Sequence, residues 1–308
     1  MTYLLENTFT EEEKMYSFIE MLRYKRPEGS LEQKQFCKRF LEPIFGQPDE
    51  HGNYIHIIGE TPHVAFMAHH DTVHSKGGMQ TPYIVDDQVF ISEDCLGADC
   101  TTGIYIILSM IEIQIPGVYV IHAAEEIGCV GSSAIVEDHP LWLDHVDIAI
   151  SFDRWGTKSI ITHQMGERTC SDSFARSFSA QLGMDHKCDT KGSYTDSNEY
   201  RGVISECTNL SVGYYNQHSP MECQDLGYLD TLVEALANVD WSKLEVDREP
   251  NIEYDDSWFM RGYEEEDDTD DMFQFVKRNP QLICDFLESY GITYDDLLEE
   301  AYMHKVAI

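Results

Sequence analysis

Residues 64–71 read VAFMAHHD: five apolar residues run straight into His69, His70 and Asp71. A strand that is apolar on both faces belongs inside a sheet covered on both sides. Polar side chains at its carboxyl end belong at the rim where open α/β sheets hold their sites. The pattern recurs along the chain. VYVIHAA (118–124) runs into Glu125-Glu126, DIAISF (147–152) into Asp153, and SECTNLSVGYYNQ (205–217) towards His218. Asp99, in LGAD (96–99), stands just before a helix. Four strand ends and one helix start thus deliver carboxylates and imidazoles to one rim. Each piece alone is weak, because 56 of the 308 residues are acidic. The ordered set is far less expected by chance.

Working outward, apolar runs and turn signals predict strands at 54–58, 64–68, 83–85, 88–91, 118–123, 147–152, 158–162 and 207–212. Amphipathic or buried periodicity predicts helices at 10–27, 30–44, 101–113, 131–137, 173–182 and 226–244. The alternation makes the chain α/β. Composition changes after Leu244. Residues 245–271 hold 13 acidic and 2 basic residues, with EEEDDTDD (264–271) the densest part, and read as a solvated linker. Two short helices are expected within 272–308, as a hairpin to dock on the body or on a protein partner. The expected organisation is a catalytic domain over 1–244, an acidic linker over 245–271 and a helical extension over 272–308.

The net charge of −35 argues against whole function classes. Binding nucleic acid relies on lysine and arginine to displace counterions, and an anionic membrane surface repels such a chain. No run of 18 apolar residues exists to span a bilayer. The first residues are acidic where a signal peptide is basic and then apolar. Nine scattered cysteines with no CxxC pair read as reduced thiols, so a cytoplasmic location is expected.

AHHDTV (68–73), LGADCTTG (96–103), AAEEIGCVGS (123–132), SFD (151–153) and YYNQHSPME (214–222), in this order, resemble the di-zinc exopeptidase superfamily, which includes peptidase T-like, glutamate carboxypeptidase-like and bacterial leucyl aminopeptidase-like enzymes. The resemblance spans roughly residues 50–240. It implies a three-layer α/β domain, with a central, mostly parallel mixed sheet flanked by helices. It implies two zinc ions per chain, with Asp99 bridging both, His69 and Asp153 on one, and Glu126 and His218 on the other. Glu125 would serve as general base, and Asp71 would orient the His69 ring through its second nitrogen. A cis peptide bond after Asp99 is also implied. Histidine and carboxylate donors without cysteine suit a hydrolytic zinc site on coordination chemistry alone, and Mn²⁺ or Co²⁺ would also fit.

Spacing departs from the peptidase T pattern in one respect. His69 to Asp99 is 30 residues, as in that group, but Asp153 to His218 is only 65, which leaves no room for an inserted lid domain. The implied activity is cleavage of a peptide or small amide, with an aminopeptidase foremost. A small-molecule deacylase and a non-catalytic protein that uses the metal cleft for binding are the alternatives. Among further candidates, His163 could touch substrate and Asp196 and Glu199 could hold a substrate amino terminus, but the plainer readings are structural for His163 and turn or surface roles for the two acids. His70, His74 and His122 read as structural neighbours, and Gly131-Ser132 as a helix start beside the pocket.

Overall fold

The computed structural model describes residues 17–91, 94–250 and 252. The chain divides into two compact units, residues 1–254 and 255–308, and the second lies outside the described residues. So do the dense acidic run 264–271 and the helices expected within 272–308.

In chain order, after a helical segment over residues 31–45, the elements that position the site are β1 (Tyr54–Ile58), β2 (Val64–His69), a hairpin of β3 (Tyr83–Val85) and β4 (Gln88–Phe90), α1 (Ala98–Glu112), β5 (Gly117–His122), α2 (Val130–Asp138), β6 (Ile148–Arg154), β7 (Ser159–Ile161), α3 (Asp172–Leu182), β8 (Lys187–Asp189), the single turn α4 (Asp196–Glu199), β9 (Glu206–Ser211), β10 (Tyr214–Tyr215), β11 (Cys223–Asp225) and α5 (Leu226–Ala237). Seven strands form the central sheet in the order β8-β7-β9-β6-β2-β5-β1. β2 runs parallel to both β5 and β6, and β9 runs parallel to β6. The edge strand β1 is antiparallel to β5, and β9 meets β7 antiparallel, so the sheet is mixed and mostly parallel. A smaller antiparallel sheet orders β10-β11-β4-β3.

The apolar strands are covered on both faces, as their composition requires. Phe66 and Ala68 of β2 join Tyr119, Ile121, Ile150 and Phe152 under Ile104 and Ile107 of α1. The alternate residues Ala65 and Met67 pack with Val118, Val120 and Ala149 against Ile135 of α2. Burial of each such large side chain contributes ~1.5–3 kcal/mol before entropy is counted. Helix α1 approaches β2 and β6 closely because of Gly103. A Cβ there would come within 2.5 Å of the Phe152 carbonyl oxygen and 3.0 Å of the Ala68 methyl. That approach sets Asp99, at the start of α1, over the ends of β2 and β6.

Three expectations shift. Residues 17–21 are helical, but the chain then turns, and Tyr24–Lys25 pairs with Gly78–Met79, so the first helix does not continue to 27. The rest of the expected 10–27 helix, residues 10–16, lies outside the described residues. Helix α5 ends at Ala237, not 244. Asp240 caps a short turn at Trp241–Lys243, which folds the Trp241 ring onto Phe66, 4.7 Å between centroids. No described helix is long and apolar enough to cross a membrane.

The stretch just past Leu244, expected to be solvated, is bound to the body. Arg248 is 6% exposed and donates to the carbonyls of Arg168, Arg201, Ile204 and Ser205, the last at 2.7 Å. The buried Glu206 accepts from the backbone amides of Asp247 and Arg248 and from Ser171. Paired donors and acceptors, not apolar area, hold this segment, and hydropathy patterns do not register that. Arg248→Ala is expected to lower the unfolding free energy by about 2 kcal/mol in a urea titration, because four carbonyls lose their donor. An unchanged midpoint would show that the segment is not anchored.

Candidate metal centre

The strand ends meet at one point. Asp99 stands between two imidazoles: Oδ1 is 3.1 Å from His69 Nε2 and Oδ2 is 3.2 Å from His218 Nε2. Asp153 Oδ1 lies 3.6 Å from His69 Nε2, and Glu126 Oε1 lies 3.4 Å from His218 Nε2. Glu125 Oε2 is 3.9 Å from His69 Nε2. The donor atoms of Asp99, Glu126 and His218 lie within 4.8 Å of one another, as do those of His69, Asp99 and Asp153. All five residues expected to ligate metal, and the expected base, are thus brought together. The Asp99–Cys100 bond is cis, as expected.

Left-handed backbone shapes the rim. Ala124 (φ 57°), directly before Glu125, and His218 (φ 60°) both adopt it, a conformation that non-glycine residues reach only at a cost. At Ala124 it turns the chain off β5, so that two consecutive glutamates both serve the cluster.

Asp71 does more than was expected of it. It is fully buried, and its two carboxylate oxygens accept the backbone amides of Glu125 (3.1 Å) and Glu126 (3.0 Å). The His69 Nδ1 is nearer to the Asp71 carbonyl, at 3.1 Å, than to its carboxylate, at 3.5 Å. Asp71 therefore fixes the glutamate turn as well as the imidazole.

Several supports were not legible from spacing. Glu222, 1% exposed, accepts from the backbone amides of Gly97, Ala98 and Asp99 and so clamps the segment that carries Asp99. It falls in the quoted YYNQHSPME stretch, four residues after His218, but nothing in the sequence alone assigns it a partner. Thr195 donates to Asp153 Oδ2 at 2.6 Å, and the Tyr214 hydroxyl donates to the Asp153 carbonyl.

Other candidates fall elsewhere. Asp196 is 1% exposed, accepts from Ser132 at 2.6 Å and sits 3.1 Å from His122, so it serves a buried network and not the cleft. His122 also meets the Tyr200 hydroxyl at 2.8 Å. Glu199 accepts from the Tyr194 hydroxyl. His163 is buried and absent from the cleft lining. His70 meets Gln33 and the Gly52 carbonyl, and His74 meets Thr72 and the Cys95 carbonyl, so both are structural. Ser132 lies inside the first turn of α2 and does not cap it.

Without a cation, these charges conflict. Burial, then the charges of its neighbours, pushes Glu125 up to about 10. Burial and the nearby Asp99 raise Asp153, and burial raises Glu126. The hydrogen bond to Asp99 and the close Glu126 carboxylate push His218 up to about 11, so its ring would hold two protons. Burial opposes ionisation of Asp99, but its bonds to His218 and His69 hold it far below the usual range. Four carboxylates converge on two imidazoles, and the buried Glu126 Oε1 accepts no hydrogen bond. That donor set fits divalent cations, which would replace the protons.

Two outcomes follow. Zinc binding is expected to release protons, with affinity falling from about pH 8 to about pH 6, seen as buffer-dependent enthalpy in titration calorimetry. Enthalpy independent of the buffer would contradict this. Glu222→Ala is expected to lower zinc affinity by about tenfold or more, the range of lost supports to metal ligands. Unchanged affinity in the same titration would mean that the Asp99 segment does not need the clamp.

Residues 53–196, just under half of the chain, match the model of peptidase family M28. No curated protein matches the sequence. Among solved structures, the chain is similar to aminopeptidase PepT from Bacillus cereus (14% identity, TM-score 0.59, covering 75% of this chain and 98% of that one). It is similar to a tripeptidase from Staphylococcus aureus (14%, 0.62, 75% and 98%). It is also similar to the TET1 peptidase of Pyrococcus horikoshii (15%, 0.54, 77% and 100%). At these identities the structural likeness establishes the fold, and the described residues carry no inserted lid domain between β6 and His218.

Proposed function

Because the chain carries a peptidase family M28 match on the fold of the zinc exopeptidases, we propose that it is a two-zinc exopeptidase, acting as an aminopeptidase with Glu125 as general base. The observation that carries this reading is the Asp99 carboxylate, with one imidazole within 3.2 Å of each of its oxygens. A carboxylate placed so would serve two cations at once. His69 and Asp153 would complete one cation and Glu126 and His218 the other.

Two zinc ions held there would polarise the scissile carbonyl and acidify water. The residues of the chain supply the rest. Glu125 takes the proton of the attacking water and passes it to the departing amine. Its high proton affinity comes from burial and neighbouring carboxylates, and cations held beside it would lower it. Asp71 keeps Glu125 and Glu126 at fixed height through their amides. Thr195, Tyr214 and Asn209 hold Asp153 from three sides, the last through its amide to the Asp153 carbonyl at 2.9 Å. The cleft has a volume of about 410 Å³, room for a short peptide.

The peptidase reading is tested with a panel of aminoacyl and acylamino substrates. Glu125→Ala is expected to reduce turnover of aminoacyl substrates by ~10²–10⁴-fold, and a chelator is expected to abolish it until zinc is restored. Turnover indifferent to both would overturn the proposal, and turnover confined to acylamino substrates would favour the deacylase alternative.

A further inference from the structure

Among the described residues the cleft is lined by acids, aromatics, small polar groups and His218, and by one lysine or arginine, Arg154. A permanent cation at that position is notable in a chain of net charge −35. Arg154 follows Asp153 directly and is 7% exposed. Among the described residues its guanidinium makes one hydrogen bond, from Nη2 to the Lys191 carbonyl at 3.0 Å, and stands 3.6 Å from Asp189 Oδ2. It lies over the Trp155 ring, 4.9 Å from the centroid. Its Nε is buried and donates to nothing among the described residues. Five donors carry a guanidinium's bonding capacity, and leaving a buried one unmade is costly. A structural arginine at such a depth would be expected to spend its donors, as Arg248 does on four carbonyls.

We infer that Arg154 is the specificity-determining anchor of the cleft and receives a carboxylate of the substrate. The inference rests on the peptidase reading and names the substrate class for that site: short peptides that present an anionic group beside the scissile bond. The charge balance supports it. Asp99, Glu125, Glu126 and Asp153 carry four negative charges when ionised, which two divalent cations cancel, so the loaded centre does not repel a carboxylate. The planar fork pairs with a carboxylate through two donors, which a lysine cannot do. Trp155 and Tyr194, 45% and 44% exposed on the same cleft, give the rest of the substrate an aromatic wall. A free C-terminus and an acidic side chain share the required chemistry.

Three dipeptides separate these sources: Leu-Gly amide (neutral), Leu-Gly (free C-terminus) and Leu-Glu amide (acidic side chain only). Binding to the zinc-loaded Glu125→Gln variant, read by calorimetry, needs no turnover. At least one anionic peptide is expected to bind about tenfold or more tightly than the neutral one, the scale of a charge-assisted pair. Adding Arg154→Met is expected to collapse that ratio towards one, while Arg154→Lys keeps only part of it. The neutral peptide serves in each variant as the internal control for an intact cleft. With the wild-type enzyme, the preference is expected in KM more than in kcat. Equal binding of all three peptides, or a ratio that survives Arg154→Met, would overturn the anchor. A binding preference without turnover of any peptide would leave the anchor standing and remove the peptidase reading.

Discussion

The structure depends on the position of one carboxylate. Asp99 lies between His69 and His218, and each of its oxygens has its own imidazole. Around it, Asp153, Glu125 and Glu126 crowd into a space where like charges cannot all ionise. A fold does not gather such a cluster for stability, because buried carboxylates destabilise unless something neutralises them. The parallel sheet brings β2, β5 and β6 side by side and ends them at one level. Gly103 lets α1 settle on β2 and β6, and Glu222 clamps the backbone that leads into α1. These features fix Asp99 before any cation arrives.

The same logic explains the second ring of residues. Asp71 gives its carboxylate to two backbone amides. Thr195 and Tyr214 brace Asp153, and Asp196 ties His122 and Ser132 together in a buried network. Asp99, Asp153 and the Glu125-Glu126 turn are thus held by groups from elsewhere in the chain, and among the described residues no inserted lid domain covers them. A cleft without that cover has fewer walls, which is why a single guanidinium can weigh heavily in selecting a substrate.

Much of this was legible in the sequence. The apolar strands ending in His69, Glu125-Glu126 and Asp153 could be read because buried parallel strands are long and uninterrupted, and their polar ends stand out. The hairpin around Asp86-Asp87 was equally clear. What escaped reading were contacts set by three-dimensional closure. Glu222 to Gly97 spans 125 residues, and Arg248 to Arg168 spans 80. Neither has a local period or composition to mark it. The early end of α5 escaped for a related reason: Trp241 is apolar enough to continue a helical pattern, but the core offered it a better place beside Phe66. The buried place of Asp196 escaped because sequence shows charge and not burial.

The most direct test of the central claim is anomalous scattering at the zinc edge from crystals grown with zinc. Two peaks ~3.5–4 Å apart, one on each oxygen of Asp99, are the predicted result. A single peak, or peaks away from Asp99, would contradict the bridging role on which the account rests.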